Sequence, residues 1–496
     1  MRALQVVRGA AVVGAGGLIG SAVMFIVGAV RMGKRGGDCT DGCLPGYDSV
    51  EGWATGLGIV GFLAAIVALI VAAAGSPPIR GRWLSALLVA GILAALWPAR
   101  AAQRSLEGPV YTVGWRADED RPDTTEGLGN WHAGDTVVRA RADGLSGFAT
   151  RDGDERWTWT APARHQVCAM SVRTVGGVGL VGIGRHDKPC AKVAAVRLDT
   201  GKEVWQQAIA ADEYPFARTG RIALADTTAV VIEDTAVRGL AADGGKQRWK
   251  RKLAEDCEAL AVDASAARAL FVEECRPDIL EDAATHRLIA LDAATGKELW
   301  ATKLPTETDA DELSILSTEP AVIRLTESDV RGTKAVLAFD ASGRAGAHIR
   351  LEGPDGKLPF ADEPGSTAVR PARPLFTTPD TLVTALGVPG ETGPHWVAAF
   401  RLADGRRLWM RRIPQPVDSV AERPDGRVAV LASVSYDDAK IWLLDPRTGA
   451  ETGKPLPVTG RRIPVGADME LLPGRAGFVV ANRESEYGKP PFFEIR

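Results

Sequence analysis

The stretch from Ala195 to Trp205 reads A-V-R-L-D-T-G-K-E-V-W, and close copies of it return along the chain. Two of them are I-A-L-D-A-A-T-G-K-E-L-W at Ile289 to Trp300 and A-A-F-R-L-A-D-G-R-R-L-W at Ala398 to Trp409. Each copy joins an apolar strand to an Asp/Gly turn and then to a second strand that closes on tryptophan. A phrase that returns at a spacing of roughly 40 to 60 residues indicates an array of like structural units.

The phrase occurs seven times in all. Five copies end on tryptophan, at Trp157, Trp205, Trp249, Trp300 and Trp409. Two copies have lost the tryptophan: one begins at Val336 and is expected to place Ile349 in that position, and the last runs from Trp442 to Thr452. Further short apolar runs precede each phrase, so each unit is expected to contain four antiparallel strands. Four-stranded units repeated at this length are typical of propeller blades.

The two ends of this region predict one more unit. After the seventh phrase, residues 469–472, 477–481 and 492–496 predict three strands with no fourth. Residues 110–115 predict a lone strand near the other end. Pairing of these strands would complete an eighth unit and leave no open sheet edge. We therefore predict an all-β fold over residues 105–496, an eight-bladed β-propeller of four-stranded antiparallel blades, with seven blades as the alternative.

The recurring residues of the phrase are expected to be structural. Glycine adopts the positive φ that the turn needs, and aspartate bonds back to the turn backbone. Tryptophan supplies a large flat surface that can dock on the neighbouring blade. On this interpretation the docking side chains are Trp115, Trp157, Trp205, Trp249, Trp300 and Trp409.

Residues 1–104 have a different composition and form a predicted membrane region. Residues 9–30 and 54–74 carry no charged side chain, and each run is long enough to cross the hydrocarbon core of a bilayer. A third run at about 83–98 is shorter and is bracketed by tryptophans, which favour the membrane interface. We predict three transmembrane α-helices at about 9–30, 54–74 and 83–98; a surface-lying or re-entrant helix is the alternative for the third.

The cysteines bear on the side of the membrane that the propeller faces. Six cysteines form three near-neighbour pairs, namely Cys39 with Cys43, Cys168 with Cys190, and Cys257 with Cys275. The last two pairs are expected at the ends of adjacent strands, where each disulfide would close a loop of about 20 residues and contribute about 3 kcal/mol. Such bonds need an oxidising compartment. The Lys and Arg count does not decide orientation, so the cysteines favour a multi-pass protein of the cytoplasmic membrane with its propeller outside. Six free thiols in a cytoplasmic domain are the alternative.

The pattern D-x-x-T-G-K-x-x-W resembles the tryptophan-docking repeat of the pyrroloquinoline quinone-binding-like β-propellers, over roughly residues 109–496. That family contains calcium-dependent quinoprotein dehydrogenases and also non-enzymatic scaffold proteins. Membership of the enzyme branch would imply a Glu/Asn/Asp calcium set and, in several members, a pair of adjacent cysteines. The chain has no Cys-Cys pair, and Asn130 and Asn482 are its only asparagines, so they are the only candidates for the asparagine position.

The remaining polar residues form no recognised catalytic or metal-binding pattern. Six histidines are scattered among different repeats, at positions 132, 165, 186, 286, 348 and 395. The acidic runs Asp118–Asp120 and Asp309–Glu312 are expected to be solvated loops, with weak calcium binding as the alternative. The formal net charge is −3, which does not suggest a nucleic-acid partner.

The sequence therefore favours a membrane-anchored propeller that acts as a non-catalytic binding or scaffold module for a protein or ligand, without a cofactor. The alternative is a dehydrogenase that uses pyrroloquinoline quinone with calcium and passes electrons to membrane quinone. The longest insert, roughly Glu352 to Pro379, is expected to project from one face as a recognition loop.

Overall fold

The computed structural model describes residues 110–496 except for 126, 187, 211–219, 277–283, 355, 360–374, 392, 435–438, 460–468, 475–476 and 483–488. Tyr111–Arg496 form one compact unit. The predicted spans at 9–30, 54–74 and 83–98, together with Cys39 and Cys43, lie outside the described residues. Among the residues that are described, no helix is both long and apolar enough to cross a membrane.

The unit is built from β-strands, and six of its sheets have four strands each in chain order. Strand β1 (Tyr111–Arg116) comes first and belongs to a later sheet. Sheets 1 to 3 comprise β2 (Gly127–Ala133), β3 (Thr136–Arg141), β4 (Gly144–Ala149) and β5 (Glu155–Thr160); β6 (His165–Met170), β7 (Val178–Arg185), β8 (Cys190–Arg197) and β9 (Glu203–Ala208); and β10 (Ile222–Leu224), β11 (Thr228–Glu233), β12 (Ala236–Ala241) and β13 (Gln247–Lys252).

Sheets 4 to 6 repeat this arrangement. They comprise β14 (Cys257–Ala264), β15 (Arg268–Cys275), β16 (Thr285–Asp292) and β17 (Glu298–Lys303); β18 (Ala310–Thr318), β19 (Ala321–Glu327), β20 (Lys334–Phe339) and β21 (Ala345–Arg350); and, after a short hairpin of β22 (Glu352–Gly353) and β23 (Gly356–Lys357), β24 (Leu375–Thr377), β25 (Thr381–Leu386), β26 (Trp396–Arg401) and β27 (Arg407–Arg412).

The last strands form an eight-stranded sheet made of two four-stranded halves, sheets 7 and 8. Sheet 7 comprises β28 (Val417–Glu422), β29 (Val428–Ser433), β30 (Ala439–Leu444) and β31 (Leu456–Thr459), and sheet 8 comprises β32 (Met469–Pro473), β33 (Phe478–Asn482), β34 (Phe492–Ile495) and β1. Strand β1 pairs antiparallel with β34, with Val113 opposite Ile495. Its other edge pairs parallel with β31, with Tyr111 opposite Val458. The first strand of the unit is therefore the fourth strand of its last sheet.

Burial falls from the first strands of each sheet to the fourth. Every residue of β3 is buried, whereas β5 alternates between exposed and half-buried residues. The same alternation marks β13 and β17. The fourth strand is therefore the outer one, because only its inward-facing side chains meet a neighbouring sheet.

The hydrophobic core lies between consecutive sheets. Sheets 4 and 5 share a cluster that contains Leu270 and Ile323, and sheets 5 and 6 share one that contains Ile349 and Phe400. Sheet 8 packs on sheet 1 in the same way, with further packing by aromatic rings across the junction. Four-stranded antiparallel sheets packed side by side in this manner are the architecture of a β-propeller, so the predicted all-β class and blade type are confirmed.

Candidate functional site

A tryptophan in the fourth strand of most sheets packs on the turn glycine of the next sheet. These glycines have φ between 67° and 83°, and a Cβ added to any of them would lie 2.3–2.8 Å from an indole atom. Any other residue would therefore be strained and would collide with the ring. The pairs are Trp115 with Gly153, Trp157 with Gly201, Trp205 with Gly245, Trp249 with Gly296, Trp300 with Gly343, and Trp409 with Gly449.

Five of these six indoles also donate a hydrogen bond from Nε1 to the carbonyl oxygen three residues before the turn glycine. The bonds are Trp115 to Thr150 (2.9 Å), Trp157 to Leu198 (3.2 Å), Trp205 to Ala242 (2.8 Å), Trp249 to Ala293 (2.9 Å) and Trp409 to Pro446 (2.8 Å). At the remaining junction, Thr302 Oγ1 donates to the Gly343 carbonyl at 2.5 Å. The six predicted docking tryptophans thus all make contacts between sheets.

The sequence signal for these junctions extends to the third strand, where our interpretation missed it. The residue directly opposite five of the six tryptophans is glycine or alanine, namely Gly147, Ala195, Gly239, Ala290 and Ala399. At Gly147 and Gly239 an added Cβ would lie 2.2 and 2.1 Å from the indole. The small residue leaves room for the ring to lie against its own sheet.

Sheet 5 lacks the tryptophan, and its fourth strand meets sheet 6 through the backbone instead. The equivalent of Trp300 is Ala347, four residues after the turn glycine, and not Ile349 as the sequence suggested. The Ala347 N–H donates to the Leu402 carbonyl at 2.9 Å. That carbonyl lies three residues before Gly405, so a main-chain donor takes the place of an indole N–H.

Sheet 7 also lacks the tryptophan, and the next sheet offers no turn to receive one. Strands β34 and β1 come from opposite ends of the unit, so no tight turn joins them. The junction is formed by the parallel pairing of β31 with β1 instead. The loss of the docking residue in this copy therefore follows from how the sheet is assembled.

The junction between sheets 5 and 6 contains a cavity of about 200 Å³. Its apolar lining includes Ile349, Leu386 and Phe400, and it reaches the turn glycine Gly405. The β22–β23 hairpin borders it, since Lys357 and Gly387 exchange two backbone hydrogen bonds of 2.8 Å. The predicted recognition insert therefore begins at this junction, although residues 360–374 lie outside the described part.

A second cavity of about 490 Å³ lies beside the first and shares His348 and Arg350 with it. Its lining also includes Arg331 and Lys334, and all four of these basic side chains are exposed. Within the described residues, none of the four forms a side-chain hydrogen bond or an ion pair. Glu352 also lines the cavity and lies 3.9 Å from Lys357. We regard the two cavities together as the candidate binding site.

Both predicted disulfides that fall among the described residues are present. Cys257 and Cys275 are direct partners on the adjacent strands β14 and β15, with Cα atoms 4.0 Å apart. Cys168 and Cys190 lie on β6 and β8, which are separated by β7, so the expectation of adjacent strands is wrong for this pair. The bond crosses β7 at Gly182, where an added Cβ would lie 2.7 Å from the Cys190 sulfur.

One deeply buried polar cluster among the described residues centres on His286. Its Nε2 lies 2.6 Å from a Glu274 carboxylate oxygen, and its Nδ1 lies 2.9 Å from Thr306 Oγ1. Arg276 pairs with the same carboxylate at 2.7 Å. Burial acts to raise the pKa of Glu274, but the hydrogen bond from His286 and the charges of His286 and Arg276 outweigh it, so that pKa is lowered. Because Thr306, His286 and Glu274 are at most 4% exposed, this group fixes the loop after β17 and does not meet solvent.

The two asparagines do not form a calcium site. Arg139 is 1% exposed and lies between them, donating to the Asn482 carbonyl at 2.5 Å and to Asn130 Oδ1 at 3.4 Å. A buried guanidinium bonded to these oxygens repels a divalent cation. Asp120, from one of the two acidic runs, pairs with Arg139 at 2.9 Å, so it is neither a solvated acid nor a metal ligand.

The second acidic run is also used in ion pairs. Asp309 pairs with Arg276 at 3.1 Å, and Glu312 pairs with the buried Arg324. Among the described residues, one cluster brings three potential metal ligands together, namely Cys257, Glu273 and Cys275. Both cysteines are in a disulfide, and Glu273 pairs with Arg287 at 2.6 Å. The residues that the structure describes therefore do not fit the calcium and quinone site of the dehydrogenases.

Asp418 is a buried acid that the sequence did not reveal. It lies on β28, the first strand of sheet 7, and accepts a hydrogen bond from Ser433 Oγ at 2.6 Å. Burial raises the pKa of this carboxyl to about 7, against the opposing effect of the Ser433 hydroxyl. An acid in the middle of an apolar strand pattern was the available signal.

Comparison with known proteins agrees with this fold. The model of the family described as outer membrane protein assembly factor BamB matches residues 126–232 and 189–452. A search of the curated proteins finds no match.

Solved structures similar to the chain include BamB from Moraxella catarrhalis, at 17% identity and a TM-score of 0.42 over 77% of this chain and 94% of that one. They also include the computationally designed Ika8 protein, at 14% identity and a TM-score of 0.46 over 78% of this chain and 99% of that one. Quinohemoprotein alcohol dehydrogenase ADHIIG from Pseudomonas putida HK5 matches at 11% identity and a TM-score of 0.45 over 77% of this chain and 75% of that one. Since the family model matches more than half of the residues, the chain belongs to the PQQ-like β-propeller repeat family described as outer membrane protein assembly factor BamB.

Proposed function

We propose that this chain is a membrane-anchored, extracytoplasmic β-propeller that binds a partner protein or ligand without catalysing a reaction. The observation that carries this proposal is the junction between sheets 5 and 6. There the docking tryptophan is missing, two cavities open, and the longest insert begins with a hairpin. The described polar clusters elsewhere are bonded among themselves and hold the scaffold together.

The scaffold that we propose is a closed ring of eight blades. Support comes from the packing of each sheet on the next, from sheets 1 to 3 through to the cluster between sheets 8 and 1. The pairing of β1 with β34 would close the ring by hydrogen bonds as well. Such a ring is rigid and presents broad loop-lined surfaces, which suit recognition.

The proposed location outside the cytoplasmic membrane rests on the disulfides and on the predicted spans. Two disulfides in one domain are typical of an oxidising compartment. Three spans would place the two cysteines between the first and second spans on that same side. The family is named for an outer membrane protein assembly factor, and a role in holding a protein partner at the envelope would agree with that name.

Photocrosslinking with the full chain in its own membranes tests the binding function. A photoreactive amino acid at Lys357 would report on the hairpin, and one at Thr295, in the exposed turn of sheet 4, would serve as the control. We expect one reproducible adduct from position 357 and none from position 295. Equal crosslinking from both positions, or no adduct from position 357, would overturn the proposal. Dye-linked oxidation of an alcohol or sugar after addition of pyrroloquinoline quinone and calcium would favour the dehydrogenase.

Cysteine labelling in intact cells tests the location. Ser342→Cys and Thr448→Cys place single thiols in exposed turns. We expect a membrane-impermeant maleimide to label both variants without permeabilisation. Labelling that requires permeabilised cells would place the propeller in the cytoplasm.

A further inference from the structure

The outer strands of three sheets are basic, but they differ in how their charges are balanced. In sheet 3, Lys250 pairs with Glu233 and Arg251 pairs with Glu298, each at 2.8 Å. In sheet 6, Arg411 pairs with Glu451, and Arg412 lies 3.3 Å from Glu391.

In sheet 5, Arg350 at the end of β21 forms no ion pair with any described residue, and the same holds for its neighbours Arg331 and Lys334. His348 precedes Arg350 by two residues on the same exposed face. Among the described residues, the basic side chains at this corner are therefore not paired with a carboxylate, whereas Lys250, Arg251, Arg411 and Arg412 are. Lys252, the counterpart of Arg350 in sheet 3, is also exposed and forms no ion pair with a described residue.

The four basic residues at this corner lie around one cavity. Arg331 lies in the loop between β19 and β20, and Lys334 is the first residue of β20. His348 and Arg350 belong to β21, yet all four residues line the cavity of about 490 Å³. Ligand sites commonly have volumes of about 300–1,000 Å³. Gly332, Thr333 and Leu351 complete much of the wall, and the one acid of the lining, Glu352, lies nearer to Lys357.

We propose that this cavity binds an acidic segment of a partner protein. Two guanidinium groups and one ammonium group can each receive a carboxylate, and they surround a space larger than a single small anion needs. Exposed charges of one sign attract and orient a segment of the opposite sign. The occupant is therefore a stretch with several Asp or Glu side chains, held by ion pairs at the rim of the cavity.

This inference rests on the proposed binding function and specifies the chemistry of the partner. Crosslinking from position 357 tests whether any partner is held at the hairpin. The experiments below test only whether the corner selects acidic sequences, so one can fail while the other succeeds.

Peptide binding to the full chain tests the proposal directly. The probe is a short fluorescein-labelled oligoglutamate peptide, followed by anisotropy, with an uncharged Gly/Ser peptide of equal length for comparison. The double variant Arg331→Glu/Arg350→Glu reverses two of the charges. Arg350→Gln removes one charge while keeping a polar side chain. The matched control is Lys252→Glu. Lys252 is exposed and lies at the corresponding end of the outer strand β13.

We expect the oligoglutamate peptide to bind and the Gly/Ser peptide to fail. The double reversal should weaken binding about tenfold or more, because each exposed ion pair contributes modestly and repulsion adds to the loss. Raising the salt concentration should weaken binding of the natural chain more than that of the variant. Lys252→Glu should leave the affinity within about twofold. Melting temperatures of all variants, measured in parallel, establish that each one is folded.

Three results would overturn the proposal. The first is that the oligoglutamate peptide fails to bind the natural chain. The second is that the Lys252→Glu control weakens peptide binding as much as the double reversal does. The third is that vesicles containing phosphatidylglycerol bind through Arg331 and Arg350 while the acidic peptide does not, which would assign the corner to a lipid surface.

Discussion

The indole of Trp249 lies over Gly296 of the next sheet, so closely that a Cβ added to the glycine would be 2.5 Å from the ring. The glycine has φ of 70°, and the indole Nε1 donates to Ala293 at 2.9 Å, in the same turn. One strand end and one turn thus fit each other by shape, by backbone conformation and by a hydrogen bond.

We expect Gly296→Ala and Trp249→Ala to destabilise the fold through the same contact. Trp249→Ala removes a large packed ring and should lower the free energy of unfolding by about 3 kcal/mol. Gly296→Ala should cost about 2 kcal/mol because the new methyl group meets the ring in a strained backbone conformation. The double variant should lose less than the sum, since without the indole the methyl group has space. Urea unfolding of the three variants measures the difference.

Gly244→Ala is the matched control for that cycle. Gly244 lies in the turn of sheet 3, its φ is not in the left-handed region, and an added Cβ meets nothing within 4 Å. The free energy of unfolding of the Gly244→Ala variant should stay within about 0.5 kcal/mol of that of the natural chain. Additive losses at positions 249 and 296 would show that the two residues act independently.

We expect Arg139→Met to destabilise the junction of sheets 8 and 1. The change leaves the Asp120 carboxylate without its 2.9 Å partner and the Asn482 carbonyl without its donor. Loss of one member of a buried ion pair should cost about 3 kcal/mol. Adding Asp120→Asn should restore part of this loss, because the buried carboxylate, which would otherwise keep Arg141 at 3.5 Å as a weaker partner, is then replaced by a neutral amide. Melting temperatures of the single and double variants test this.

The exposed pair of Arg151 and Asp152 provides the comparison. Arg151→Met should change the melting temperature little, because solvent screens an exposed ion pair. If Arg139→Met were equally mild, Arg139 would not hold the junction together.

Asp418 should make stability fall as pH rises. Its pKa in the folded protein is about 7, against 3.8 for an ordinary aspartate. The unfolded chain therefore loses this proton first, and the contribution that is complete below about pH 4 disappears as pH rises to about 7. Within that window, ionisation of Asp418 should lower the free energy of unfolding by roughly 1.4 kcal/mol per pH unit at most.

The neutral variant Asp418→Asn isolates this contribution. It should be more stable than the natural chain at neutral pH and should show a flatter dependence of melting temperature on pH in that window. The amide oxygen can still accept the hydrogen bond from Ser433. If the melting temperatures of the variant and the natural chain depended on pH in the same way, Asp418 would not be a buried neutral acid.

Removal of the disulfides should lower stability without changing the architecture. The two bonds join cysteines 22 and 18 residues apart, and the chain-entropy model gives each about 3 kcal/mol. Cys257→Ser/Cys275→Ser and Cys168→Ser/Cys190→Ser should each lower the melting temperature, and a reductant should lower it in the natural chain. Mass spectrometry without reductant should detect both bridges.

The quadruple serine variant is the control for the reductant. Its melting temperature should not respond to reductant, because no disulfide remains among these four positions. A natural chain equally insensitive to reductant would mean that the bonds contribute nothing to stability.

The repeated phrase allowed the strands and turns to be predicted because the Asp/Gly turn and the closing tryptophan are local signals. The six docking residues could be chosen from sequence for the same reason. The equivalent of tryptophan in sheet 5 was misplaced by two residues at Ile349, because this copy has no tryptophan to mark the position and its turn is also one residue shorter. The small residues opposite five of the six indoles were missed because pairing register, and not spacing along one strand, brings them there.

The candidate site could not be predicted to the same extent. Arg331, Lys334, His348 and Arg350 are unremarkable in the sequence, and the arginines of β27 form the more basic run. What distinguishes them is that they line one cavity and that none of them pairs with a carboxylate of the described residues, and both depend on which strands and loops become neighbours. The role of the two asparagines was equally hidden, because Arg139 reaches Asn482 only when the last sheet meets the first.

The sequence by itself determined the repeating unit: apolar strands of fixed length, turns that require glycine, and a flat ring to cover each turn. These are local properties, set by backbone conformation and side-chain shape. Only the tertiary structure decided which charges are neutralised, which acid stays buried at Asp418, and where the fit between sheets fails and leaves a cavity. Coulombic balance, burial and packing depend on distances between residues far apart in the chain, and those distances exist only once the sheets have assembled.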